Sequence, residues 1–168
     1  MNSVIVRKSD IQSGKTTLSK EQSAHLREVV KVKIGDELKG TILEGGLTTL
    51  VILNIGERIE VEVGVITQGR SFPIELIIAA SRPPTMKKLF EHCSAMGADH
   101  FHIFKAILSD KSYLTSKVYE RFEELSLLGL SQSAVFYKAP KLTKTYQYTQ
   151  QPEQAQKYIL SPYATKRL

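Results

Sequence analysis

The fold is decided by residues 74–107, which read IELIIAASRPPTMKKLFEHCSAMGADHFHIFKAI. Leu76–Ala80 has no polar alternation, which is typical of a strand that is covered on both faces in a mainly parallel sheet. Pro83 stops this strand and suits the first turn of a helix that ends at Gly97. The inward face of this helix is predicted to carry Met86, Leu89, Phe90 and Cys93. A second strand is predicted over Phe101–Ile107, so the stretch indicates an α/β domain of the kind that handles nucleotides.

Helix and strand signals continue toward the end of the chain. A further helix is predicted over Ser116–Leu128, with a break at Gly129 and a continuation over Ser131–Tyr137. Its apolar face comprises Val118, Phe122, Leu125 and Leu128. Weaker signals predict a strand over Lys141–Tyr148, a turn of helix over Glu153–Lys157 and a strand over Tyr158–Leu160. No glycine follows Gly129, so the sequence lacks the glycine turns from which a phosphate or nucleoside cradle is built.

The first 70 residues alternate short strands with turns and contain one helix. Ser19 and Gln22 fit a capping box at the start of this helix, and Leu26, Val29 and Val30 form its apolar stripe. The strands are predicted over Val4–Val6, Thr16–Leu18, Glu37–Leu43, Leu47–Asn54 and Arg58–Ile66. So many short strands predict a small β-barrel, because closure hides the sheet edges. The turn-rich segment Gln68–Pro73 then predicts a boundary between a domain of residues 1–70 and one of residues 74–168.

Composition and charge restrict the class of protein. The chain is 42% hydrophobic and 24% charged over 168 residues, which is enough for one or two compact domains. No run reaches the roughly 18 apolar residues of a membrane helix, and we expect a cytoplasmic protein. A single cysteine, Cys93, excludes an internal disulfide. The net charge is +6, and residues 71–168 hold 13 basic against 8 acidic side chains, an excess that attracts phosphate backbones.

Several short motifs together resemble one known family. They are AHLREV at 24–29, GDEL at 35–38, RPPTMKK at 82–88, MGA at 96–98, KSY at 111–113 and GLSQ at 129–132. Their order and spacing resemble those of the RsmE family of ribosomal RNA methyltransferases along the whole chain. The resemblance implies an enzyme that joins an N-terminal PUA-like RNA-binding β-barrel (1–70) to a SPOUT-type α/β methyltransferase domain (74–168). It further implies S-adenosylmethionine as the methyl donor, the N3 atom of a uracil in small-subunit ribosomal RNA as the target, and a homodimer.

The sequence also departs from the pattern of that family. The family holds its cofactor in a C-terminal knot with a Gly-Pro-Glu-Gly-Gly type loop, and that loop has no counterpart here. We therefore expect an incomplete SPOUT domain, no cofactor-binding residue, and a chain that is inactive alone, which also weakens the expectation of a dimer. His92 and Ala95 stand where many members carry Lys and Glu, and no arginine follows Gln132-Ser133 before Pro140.

The resemblance assigns roles to two candidate catalytic residues and two neighbouring lysines. Arg82 follows a strand at the sheet edge where α/β folds place ligands, and by the resemblance it would face RNA phosphate or the target base, the alternative being a solvated arginine in a proline loop. Gln132 would bond a base edge through its amide, although a helix-capping or surface role is an alternative. Lys87 and Lys88 would extend the phosphate contact, or else form a solvated helix face.

The barrel offers a second set of candidate RNA-binding residues, which are His25, Arg27, Lys31 and Lys33. By the resemblance they would grip an RNA backbone, and the alternative is the charged outer side of an amphipathic helix. Two alternative functions are a non-catalytic RNA-binding module that uses the barrel alone and a protein-interaction module with open strand edges.

The histidines predict no metal site. His92 and Cys93 are adjacent on a helix and diverge by about 100°. A strand would place His100 and His102 on one face, which gives two ligands at most, and no further cysteine or helical His-x-x-x-His completes a zinc site.

Overall fold

A computed structural model describes residues 2–107, 109–147 and 156–159. The N-terminal part forms a five-stranded sheet in the order β1-β3-β4-β5-β2, in which β1 pairs with β3 in parallel and the other neighbours are antiparallel. Its elements are β1 (Val4–Arg7), β2 (Lys15–Thr17), α1 (Lys20–His25), β3 (Glu37–Leu43), β4 (Gly46–Ile55) and β5 (Ile59–Val63). The predicted strands are confirmed in number and order. The end strands are β1 and β2, and no ladder joins them in the part of the chain that the structure describes.

One hydrophobic core gathers side chains from both ends of this sheet, so the sheet curls around it. The core includes Val4 and Val6 of β1, and Leu18, which directly follows β2. Ile59 and Val61 of β5 are fully buried between them. The alternation stops earlier than predicted, because the ladder with β4 ends at Val63 and Val65 is 84% exposed.

The helix α1 begins as predicted and ends in an unpredicted way. The Ser19 hydroxyl accepts from the Gln22 amide at 3.2 Å, and the Gln22 side chain accepts from the Ser19 amide at 3.1 Å, which completes the capping box. The helix then widens into a π turn over Leu26–Val30. This change of period buries Leu26 but exposes Val29 and Val30, so the predicted three-residue apolar stripe is wrong.

The C-terminal part forms a parallel three-stranded sheet in the order β6-β7-β8, as the apolar strands predicted. Its elements are β6 (Glu75–Ala79), α2 (Pro83–Ala95), β7 (His100–Phe104), α3 (Lys111–Leu114), α4 (Phe122–Ser133) and β8 (Lys141–Thr145). Residues 156–159 contain no helix or strand. The other residues of the helix turn predicted at 153–157 and of the strand predicted at 158–160 lie outside the described residues.

The helix α4 differs from its prediction at both ends. It starts at Phe122, after a 3-10 turn over Lys117–Tyr119, and it passes through Gly129 without a break. A Cβ atom on Gly129 would lie 2.0 Å from the Glu91 carbonyl oxygen of α2, so this glycine permits close helix packing rather than a turn. Leu128, predicted to face inward, is 49% exposed.

Only one face of the parallel sheet is covered by helices in the described part of the chain. Leu76 and Ile78 pack with Phe101 and Ile103 into the core under α2 and α4. Because side chains alternate along a strand, Ile77 points to the other face, where it is 38% exposed. The prediction that this strand is covered on both faces is therefore wrong within the described residues.

The two sheets are connected by hydrogen bonds at the end of α4. The amides of Asn2 and Ser3 both donate to the Ser131 carbonyl at 2.9 Å, and the Arg70 amide donates to the Val135 carbonyl at 2.8 Å. Arg7 forms an ion pair with Glu123 across the same junction. None of the helices within the described ranges has the length and apolar character to cross a membrane.

Candidate nucleic-acid interface

Arg82 lies where β6 ends and α2 begins, as its place in the sequence predicts. Its carbonyl accepts from the amides of Thr85 and Met86, at 2.9 and 3.1 Å, and it precedes Pro83 at the first helical position. Among the described residues its exposed guanidinium has neither a hydrogen bond nor an ion pair. Arg82 is therefore held by its backbone while its side chain is available to bind an anion at the carboxyl edge of the sheet.

The two lysines of α2 differ in their surroundings. The Lys87 ammonium lies 3.8 Å from the Glu91 carboxylate. It also lies near Glu124, whose pKa is lowered by its hydrogen bonds from Arg121 and, to a smaller extent, by the charge of Lys87. Lys88 is exposed and has no partner among the described side chains. Lys88 is therefore the better candidate of the two for contact with phosphate.

Gln132 lies in the last turn of α4, far along the molecule from Arg82. Its carbonyl accepts from the Asn2 amide group at 2.7 Å, and its own side chain is exposed. A little further on, the Phe136 ring closes on Gly97, just beyond the C-terminal end of α2. Arg82 caps the opposite end of this helix, whose 13 residues span about 20 Å at roughly 1.5 Å each. The structure therefore does not bring the two candidate catalytic residues together.

The four candidates of the N-terminal part lie at the end of α1 and in the turns that follow. Arg27 donates to the carbonyls of Gly56 and Glu57, at 2.8 and 3.4 Å, so it ties the π turn to the β4–β5 turn. His25 is half-buried, whereas Lys31 and Lys33 are exposed. Both lysine side chains are without a partner in the described residues, which makes them the better RNA-binding candidates of this group.

Lys31 adopts a left-handed conformation, with φ 60° and ψ 47°. We expect Lys31→Gly to raise the free energy of unfolding by about 0.5–1 kcal/mol, because glycine adopts this conformation without the Cβ clash. The same change removes an exposed cation. Lys33→Gly removes the same charge without left-handed strain and should lower stability slightly. Urea unfolding of the two variants checks the difference, and equal destabilisation by both would contradict this account.

The described residues do not form a cradle for S-adenosylmethionine. Beyond the carboxyl ends of β6, β7 and β8 the chain continues as Ser81-Arg82-Pro83, Lys105-Ala106-Ile107 and Tyr146-Gln147, all without glycine. A shallow depression lined by Arg70, Phe72, Gly97, Asp99 and Phe136 lies near the amino ends of the strands instead.

The histidine candidates fall into two separate groups. His92 and Cys93 lie on α2, and partial burial raises the pKa of the Cys93 thiol, which keeps it protonated. His100 and His102 of β7 stack on the open face of the sheet, with ring centroids 3.8 Å apart. Partial burial, followed by the neighbouring His102, lowers the pKa of His100. Glu75 was not among the predicted site residues, although it lies directly opposite His100 in the ladder.

The fold is that of solved RNA methyltransferases. A predicted RNA methyltransferase from Thermotoga maritima matches with a TM-score of 0.66 at 16% identity, over 89% of this chain and 68% of that protein. Ribosomal RNA small subunit methyltransferase E from Neisseria gonorrhoeae, in a structure bound to S-adenosyl methionine, matches with a TM-score of 0.63 at 15% identity. That match covers 84% of this chain and 62% of the other. At these identities the likeness shows the fold alone.

One curated relative, found by sequence similarity, is also an RNA methyltransferase. Ribosomal RNA small subunit methyltransferase E of Treponema pallidum (strain Nichols) is 25% identical over 145 residues, which cover 79% of this chain and 53% of that protein. The chain thus spans about half the length of the curated relative that it matches. No family model matches the chain. These relatives of the chain are RNA methyltransferases, and the predicted resemblance to the RsmE family is confirmed.

Proposed function

We propose that this chain comes from an S-adenosylmethionine-dependent RNA methyltransferase of the RsmE kind and that its described residues supply RNA contacts. The proposed reaction is methylation of uracil N3 in small-subunit ribosomal RNA, in the cytoplasm. Residues 1–70 are the proposed PUA-like RNA-binding domain, and residues 74–168 the proposed N-terminal part of the SPOUT domain. The observation that carries the proposal is the similarity to the Treponema pallidum methyltransferase, which extends over 79% of this chain.

The position of Arg82 supports the chemistry of this proposal. A methyltransferase that acts on a base must hold the RNA so that the reacting atom is oriented and its proton can leave. A guanidinium fixed by its backbone at the carboxyl edge of a parallel sheet can hold a phosphate or a base oxygen through paired hydrogen bonds. Lys88 adds a second cation on the first turns of the same helix. Gln132 lies in the last turn of α4, beside the other end of α2, so it does not share this contact and is proposed to bond a different part of the RNA.

The contribution of this surface is testable by RNA titration at several salt concentrations. We expect Arg82→Ala and Lys88→Ala each to weaken binding of a labelled small-subunit ribosomal RNA fragment and to reduce the salt slope by about 1, because each removes one phosphate contact. Lys141→Ala is the matched control, since Lys141 is an exposed lysine at the amino end of β8, at the opposite edge of the same sheet. Fluorescence anisotropy gives affinity and slope together. Equal losses in all three variants would contradict a defined interface at Arg82.

The alternative is a non-catalytic RNA-binding module of the N-terminal sheet alone, and it makes a different prediction for Arg82→Ala and Lys88→Ala. It is favoured by the exposed Lys31 and Lys33 and by the lack of a cofactor cradle among the described residues. Under this alternative Arg82→Ala and Lys88→Ala would leave RNA binding unchanged, whereas Lys31→Gly would weaken it, as it also would under the first proposal. Calorimetric titration of S-adenosylmethionine into the chain is expected to give no heat, and micromolar binding would contradict the lack of a cofactor cradle among the described residues. Sedimentation velocity tests the homodimer that the resemblance implies and that the missing loop makes less expected; a monomer agrees with an incomplete SPOUT domain.

A further inference from the structure

The open face of the parallel sheet carries three metal-ligating side chains that converge. Glu75 is the first residue of β6 and His100 the first of β7, and the two are partners in the ladder register. His102 follows on the same face of β7. One donor atom of each of these three side chains lies within 4.8 Å of the donors of the other two. They belong to two adjacent strands, so their spacing is set by the sheet rather than by a loop.

The side chains around this cluster hold it in place. The His102 Nε2 atom lies 2.8 Å from a carboxylate oxygen of Glu75, and the His100 Nε2 atom lies 2.8 Å from the Thr143 hydroxyl of β8. The two imidazole rings stack with 27° between their planes. The hydrogen bond between Glu75 and His102 does not by itself explain why the His100 ring is stacked against the His102 ring. Thr143 is placed to orient His100 in the way that outer partners orient metal-binding histidines.

We propose that Glu75, His100 and His102 bind a divalent transition-metal ion, for which zinc is the best fit. Two imidazoles and one carboxylate are a donor set that zinc accepts, whereas magnesium and calcium prefer oxygen donors. Zinc holds such ligands at about 2.0–2.2 Å, which separates tetrahedral donors by about 3.4 Å. Donors already within 4.8 Å of one another reach that separation by side-chain rotation without movement of the strands. Solvent at this exposed face supplies the fourth ligand.

The proposed ion would link β6 to β7 and would not belong to the RNA interface. Glu75 and His100 lie at the amino ends of their strands, while Arg82 follows the carboxyl end of β6. An ion bound by two adjacent strands stabilises the folded state, since the unfolded chain does not hold the three donors together. The proposed zinc site and the proposed methyltransferase activity can therefore be tested separately, and failure of one would leave the other unaffected.

Zinc titration of the whole chain tests this site. We expect one equivalent of ZnCl2 to bind and to raise the melting temperature, and Glu75→Gln and His100→Gln each to weaken binding by ~tenfold or more. His92→Gln and Cys93→Ser, which change donors on α2, are the matched controls and should bind as the unaltered chain does. Co²⁺ provides a second reading, because four-coordinate cobalt absorbs strongly in the visible range. Circular dichroism establishes that each variant is folded.

Three results would overturn the proposal. The first is no zinc binding at micromolar concentrations, and the second is unchanged affinity in both Glu75→Gln and His100→Gln. The third is an equal loss of affinity in His92→Gln or Cys93→Ser, which would place the ion on α2. A smaller loss in Thr143→Val than in His100→Gln would support the orienting role of the Thr143 hydroxyl.

Discussion

Phe90→Ala is expected to lower the free energy of unfolding by about 3–5 kcal/mol, the largest effect of any single substitution considered for this chain. The Phe90 side chain is fully buried at the centre of three other aromatic rings. Ring centroids of Phe101, Phe122 and Tyr119 lie 5.4, 4.9 and 5.9 Å away in edge-to-face arrangements, which add to the burial itself. Alanine would leave a cavity that three rigid rings cannot fill.

The measurement is thermal or urea unfolding followed by circular dichroism, and a loss of this size corresponds to a melting temperature lower by roughly 10 °C or more. Phe72→Ala is the matched control, because Phe72 is 44% exposed and has one edge contact, with Phe136 at 5.6 Å. Phe72→Ala should lower the free energy of unfolding by no more than about 1.5 kcal/mol. Phe90→Leu should recover part of the lost stability. Similar losses in Phe90→Ala and Phe72→Ala would show that the aromatic cluster is not the centre of the core.

Gly129→Ala is expected to destabilise the protein by about 2 kcal/mol or more, although alanine is the better helix former by about 1 kcal/mol. The room available for a Cβ atom decides whether this substitution raises or lowers the free energy of unfolding. A Cβ atom at this position would lie 2.0 Å from the Glu91 carbonyl oxygen and 2.8 Å from its carbonyl carbon. Both are backbone atoms of α2, so relief requires the two helices to separate and the core between them to open.

Gly56→Ala is the control for this substitution. The nearest atom to its added Cβ is the Arg58 carbonyl oxygen at 3.7 Å, which is an ordinary contact, so the effect should stay within about 0.5 kcal/mol. Urea unfolding of both variants at one protein concentration gives the comparison. Wild-type stability in Gly129→Ala would mean that α2 and α4 can part without loss, and the close packing of these helices would be refuted.

Elements that depend on neighbouring residues were predictable from the sequence. The capping box of Ser19 and Gln22 fixes the start of α1 because both hydrogen bonds form within one turn. Pro83 marks the start of α2 for the same local reason, since its missing amide is not needed there. The order of strand, loop and helix then places Arg82 at the carboxyl edge of the sheet, as predicted.

Features that depend on packing between distant segments were not predictable. Gly129 resembles a helix end, and only the approach of the Glu91 backbone explains why the helix continues through it. The separation of Gln132 from Arg82 depends on how α4 lies along α2, which no spacing in the sequence encodes. Glu75 was not predicted for a similar reason. It lies beside His100 because of the register between β6 and β7, and the helix α2 separates these two strands in the sequence.

The hydrogen bonds at the junction of the two sheets have a consequence for the order of folding. The side chain of Asn2 bonds the carbonyl of Gln132, 130 residues further along the chain, and the amides of Asn2 and Ser3 bond Ser131. Because a chain is made from its amino terminus, Asn2 and Ser3 are made long before Ser131 and Gln132, whose carbonyls they bond. The bonds between the two sheets therefore form only after α4 has been made, and contacts of such long sequence separation slow folding.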